Sequence, residues 1–181
     1  MQEKGFVISL PLRISELTQV LVFGVISILS FFVPFSLGHP QWLVGTAVNA
    51  CLFLAAMFLP ERYFVPMAIL PSLGVLSRGL IFGPFTMFLV YFLPFIWLGN
   101  LILILLFKLI YSKVLKNFGI AAVGGAAGKF VLLFLMANIY FKFSIVPAVF
   151  LQAMEFNQIA TALAGGLLAF IVLYAYRKRH S

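Results

Sequence analysis

Two cations stand inside long apolar runs. Lys129 lies about ten residues into the run 118–141, ~15 Å along a helix, and Arg78 lies ~21 Å into the run 64–82. A charge in hydrocarbon costs at least ~2.5–3.5 kcal/mol, so each is a candidate functional group by default. Glu155, Asn157, Gln158 and Thr161 open a further run at 155–176, Asn100 follows Trp97 by three residues, and Tyr140 closes the run containing Lys129. Gln41 and Trp42 follow the tight connection Gly38-His39-Pro40. Aromatic surfaces with a few placed polar groups suit the holding of a small molecule. Two cations among them suit a carboxylate or phosphate, because a buried cation without a partner is costly.

Plainer roles exist for the same residues. Arg78 and Lys129 can snorkel toward headgroups, Asn49 and Asn100 can bond between helices, and Glu155 can face outer water. Bond-making chemistry has no support, since the chain lacks HExxH, GxSxG and Walker A patterns. Neither an enzyme nor a nucleotide-driven pump is expected. Of the two histidines, His39 falls in the first outer loop and His180 on the cytoplasmic tail, so no metal site is expected, and no cofactor is implied.

The elements that must position these groups follow from composition. Of 181 residues, 64% are apolar and 9% charged, where soluble domains carry roughly a quarter charged residues. This excludes a soluble globule, a disordered tail and a nucleic-acid binder. The expected class is an all-α membrane protein, with residues 1–181 forming one integral membrane domain. Apolar runs bounded by Pro, Gly and charge predict six spans: 17–37, 42–60, 64–82, 85–111, 118–141 and 155–176. The fourth is long enough to tilt, or to bend around Pro94. Residues 1–15 do not read as a secretory signal, because Pro11 and Arg13 interrupt the apolar stretch.

Orientation follows from the basic residues. With the N-terminus inside, the cytoplasmic segments hold Lys4, Arg13, Arg62, Lys108, Lys113, Lys116, Arg177, Lys178 and Arg179, and the outer loops hold only Lys142. The positive-inside rule then predicts that both termini are cytoplasmic, in the cell membrane. Small residues recur at four-residue spacing in Ala47, Cys51 and Ala55, in Gly124 and Gly128, and in Gly165 and Ala169. That spacing lines one helix face and permits close helix packing in lipid. The polar residues gather toward the outer half of spans three to six, the pattern of a cavity opening outward.

With these features the chain resembles the substrate-binding (S) component of energy-coupling factor (ECF) transporters. The resemblance covers most of the chain and rests on its size, its six spans and three phrases. These are Pro40-Gln41-Trp42-Leu43-Val44-Gly45-Thr46-Ala47-Val48-Asn49-Ala50, Leu98-Gly99-Asn100 and Thr161-Ala162-Leu163-Ala164-Gly165-Gly166. The resemblance implies high-affinity capture of a small, vitamin-like micronutrient from the outer side, for uptake driven by partners. Those partners would be a transmembrane coupling subunit and two cytoplasmic ATPases. It implies a substrate pocket in the last three spans and outer loops, drawing on Gln41, Trp42, Arg78, Trp97, Asn100, Lys129, Tyr140, Glu155, Asn157 and Gln158. The family's small-residue docking motif in the first span is matched here only by Gly24 and Ser27. Nickel- and cobalt-carrying members use an N-terminal His, and Met1-Gln2-Glu3 lacks one. The alternative is a non-transporting scaffold resembling the rod-shape-determining membrane proteins, which would need no cations aimed into a cavity.

Overall fold

A computed structural model describes residues 14–37, 40–82, 86–148, 151, 154 and 156–179. Glu155, Gly38 and His39 lie outside the described residues, as does the N-terminal stretch 1–13. The described residues are helical, with six long helices: α1 Glu16–Ser36, α2 Gln41–Phe58, α3 Phe64–Phe82, α4 Thr86–Leu109, α5 Phe118–Lys142 and α6 Phe156–Lys178. Among the described residues, five helices are long and apolar enough to cross a membrane: α1, α2, α4, α5 and α6. The 19-residue α3, with Pro71 and Arg78 inside it, packs between α1 and α4.

Local sequence sets most helix ends. Ser15 caps α1, its hydroxyl accepting from the Thr18 N–H at 3.2 Å, with Glu16 in the positive first turn. Asn117 caps α5 in the same way, its side chain accepting from the Ile120 N–H at 3.1 Å. The predicted second span runs two residues too far, because Leu59 precedes Pro60 and takes an extended conformation (φ −107°, ψ 147°). The fourth runs slightly short, since α4 continues through a π-helical turn at Ile110–Val114, closed by the Leu115 N–H on the Ile110 carbonyl at 3.0 Å.

Helix α2 is the hub. It packs most extensively on α6 and also meets α1, α3 and α4, while α4 pairs with α5 and α1 with α3. Accordingly 61% of the α2 span is buried, against 17% for the peripheral α1. The main core surrounds Leu52, Phe53 and Met57 of α2, with Leu103, Phe107 and Tyr111 from α4 and its π-turn. Rings tie together the end of the bundle that carries Lys113 and Arg177. Phe58 meets Tyr176 edge-on at 5.4 Å, and Phe107 meets Phe118 at 5.2 Å. A second, smaller core gathers Phe92, Leu133, Ala137, Val146 and Met154 toward the opposite end.

Candidate functional site

The densest buried polar arrangement is built on α5, α2 and α6. Lys129 is 5% exposed, Asn49 1% and Thr161 6%. The Lys129 ammonium donates to Asn49 Oδ1 at 2.7 Å, and Asn49 Nδ2 donates to Thr161 Oγ1 at 3.4 Å. The Thr161 hydroxyl donates to the Asn157 carbonyl of its own helix at 2.7 Å. Because lysine can only donate, the Asn49 amide must turn its oxygen toward α5 and its nitrogen toward α6. The chain of donors therefore runs one way, from the Lys129 ammonium to the α6 backbone.

Glycines let these helices approach. A Cβ on Gly45 would stand 3.0 Å from Thr161 Oγ1, and one on Gly165 would stand 2.7 Å from the Ala50 nitrogen and 2.8 Å from the Thr46 carbonyl. On the α4 side, Gly99 faces the Lys129 stem, where a Cβ would lie 3.3 Å from Cγ. The Lys129 stem thus passes α4 at Gly99 while the ammonium reaches α2. Among the described residues the carboxylates are Glu16 and Glu61, and Glu61 is engaged with Lys108 at 2.9 Å. No group of three or more His, Cys, Asp or Glu among the described residues could hold a metal ion.

The other candidate residues occupy different places. Arg78 is turned to α1: its Nη1 donates to the Phe35 carbonyl at 3.0 Å and the Ser36 carbonyl at 2.8 Å, the last carbonyls of that helix. Trp97 donates its indole N–H to Ser72 Oγ, and Asn100 donates to the Ala68 carbonyl at 2.8 Å, so both stitch α4 to α3. The Asn100 Oδ1 is buried with no hydrogen-bond partner among the described residues. Tyr140 stacks edge-on to Phe92 and Phe95, its hydroxyl 3.5 Å from the Tyr91 carbonyl. Gln41 and Trp42 are exposed on the first turn of α2, and Asn157 is exposed on the first turn of α6. Gln158 reaches Met154 Sδ at 3.7 Å.

No family model matches the chain, and no curated protein or solved structure does. The sequence-predicted set divides into Lys129 in its cluster, Trp97 and Asn100 on an α3–α4 seam, Tyr140 in an aromatic patch, Arg78 at the end of α1, and Gln41, Trp42, Asn157 and Gln158 on the first turns of α2 and α6. Asn49 and Thr161, the two side chains that complete the cluster, were not among the predicted binding residues. The signal for them was their polarity inside apolar runs, which does not by itself say which helix they face.

At the proposed docking positions, Ser27 donates to Met67 Sδ at 3.6 Å, a contact with α3. A Cβ at Gly24 would meet nothing within 4 Å. A shallow, open depression of about 560 Å³ lies between Phe88 of α4 and the end of α5 around Ser144 and Val146. It does not include the Lys129 cluster.

Proposed function

We propose that the chain is a six-span protein of the cell membrane, with both termini cytoplasmic. In this reading it captures a small organic micronutrient bearing an anionic group from the outer side. It resembles an ECF S component in this role, and uptake would be driven by a transmembrane coupling subunit and two ATPases. It performs no catalysis. The observation that carries the reading is the Lys129–Asn49–Thr161 cluster, an ionisable group buried about midway along α5 and engaged, among the described residues, by a neutral amide rather than a carboxylate. A cation so placed is costly unless it has a use, and small-molecule recognition is one. The apolar outer face of α1, with Gly24 open upon it, supports a docking surface for the coupling subunit.

The test is thermal unfolding of the purified protein against a vitamin panel, together with pull-down from its native membrane. A ligand at 100 times its Kd adds ~2.7 kcal/mol to stability. Stabilisation by a panel member and co-purification of ATPases are expected. Neither would leave the scaffold reading, which the engagement of Arg78 with the α1 carbonyls favours, since that cation is used structurally.

A further inference from the structure

The number of charges at the cluster restricts what it can hold. An ammonium has three donors. Among the described residues Lys129 directs one of them, to Asn49. Asn49 and Thr161 are neutral, so among the described residues the cluster can hold at most one positive charge. Arg78 does not add a second: it sits on α3, which packs on α1, α2 and α4 rather than face to face with α5, and it is turned to the end of α1. A monoanion would neutralise the cluster, whereas a dianion would leave a net negative charge buried among apolar helices, which is costly.

Resting on the capture reading above, we propose that the Lys129–Asn49–Thr161 cluster recognises a singly charged carboxylate solute and discriminates against phosphate esters and other dianions. One carboxylate oxygen takes the ammonium donors that Asn49 leaves. The approach is between α5 and α6, which pack less extensively than α2 and α6 do. Opening there preserves the glycine contacts at Gly45 and Gly165 that hold Asn49 and Thr161 in register.

The experiment uses the full chain in lipid nanodiscs and follows its thermal midpoint with sodium benzoate, phenyl phosphate (a dianion above its second pKa of about 6) or benzyl alcohol. Benzoate should raise the midpoint, and the other two should not. Lys129→Gln should weaken benzoate binding roughly 10- to 100-fold, the share of a charge-assisted hydrogen bond. Asn49→Asp provides the second variant, since it supplies an internal carboxylate beside Lys129. It should keep the fold and abolish the benzoate response. A Lys129-dependent response to phenyl phosphate, or equal benzoate binding by wild type and both variants, would overturn the proposal. So would the absence of any benzoate response. A vitamin that binds independently of Lys129 would sink the monoanion inference and leave the capture reading standing.

Discussion

Lys129 Nζ and Asn49 Oδ1 are 2.7 Å apart although 80 positions separate them in the chain, and their bond is a direct polar tie between α5 and α2. The two ends of that bond are not equivalent. Removing Asn49 leaves an ammonium in an apolar interior, whereas removing Lys129 leaves only a neutral amide oxygen.

The expected outcome is an asymmetry in stability. Asn49→Leu should cost about 2–3 kcal/mol, the desolvation penalty of a stranded charged donor. Lys129→Met should change stability by less than about 1 kcal/mol, because a lost interhelical bond averages only ~0.6 kcal/mol and a buried charge goes with it. Denaturation in mixed detergent micelles measures both. The double variant should resemble Lys129→Met, since the stranded charge is then absent.

The helices were largely legible because apolar runs about 20 residues long have few alternatives in lipid. Lys129 was legible as a problem for the same reason. Its solution was not, because the partners Asn49 and Thr161 lie 80 and 32 positions away and the facing of helices is not written in their hydropathy. Arg78 shows the same gap. Its place in an apolar run suggested a cavity or a headgroup, yet its partners are carbonyls at the end of α1, visible only once α1 and α3 are paired. Leu59 and the π-turn after Leu109 moved two span ends by rules of backbone geometry that hydropathy does not carry.

Arg78→Gln should lower stability by about 1.5–3 kcal/mol, the typical worth of hydrogen bonds involving a charged group. Its cap on Phe35 and Ser36 predicts that the loss is local to the α1 end, and hydrogen exchange of that last turn should quicken. Benzoate affinity should be unchanged. A change in affinity equal to that of Lys129→Gln would mean the two cations serve one site.

Two glycines separate packing from open surface. Gly165→Ala would drive a methyl into the α2 backbone at Ala50 and Thr46, which cannot move aside cheaply. A loss of about 1–3 kcal/mol is expected. Gly24→Ala meets open space and should be neutral or gain up to ~1 kcal/mol from helix propensity. Gly24→Leu should weaken any complex with a coupling subunit while leaving ligand binding intact, as read by co-purification and calorimetry.

Glu61 lies on the turn before α3, and its carboxyl is held below the usual glutamate range by the hydrogen bond from Lys108, then by the charge of Lys108. A carboxyl lowered in the folded state contributes stability above its unfolded pKa and loses it as pH falls through the folded value. The turn should therefore loosen only in the acid range, below ordinary glutamate titration. The carboxylate is highly exposed, so the effect should be small and screened by salt. Glu61→Gln should flatten the acid limb of a pH–stability profile without altering behaviour near neutrality.

The orientation of the bundle makes the final prediction. Lys113 and Lys178 sit at the same end as Arg62 and Lys108, whereas Ser144 follows α5 at the opposite end beside Lys142. Nine basic residues against one across the six predicted spans predict a cytoplasmic location for the first end. Cys51 is buried and should react poorly, so Cys51→Ser gives a clean background. In intact cells, Ser144→Cys should label with an impermeant maleimide, while Lys113→Cys and Lys178→Cys should label only after permeabilisation. Lys113 stands on the π-turn just before α5 and Ser144 just after it, so the pair brackets that one helix and reports one crossing. Labelling of Lys113→Cys from outside would invert the bundle and place the approach to Lys129 between α5 and α6 on the cytoplasmic side.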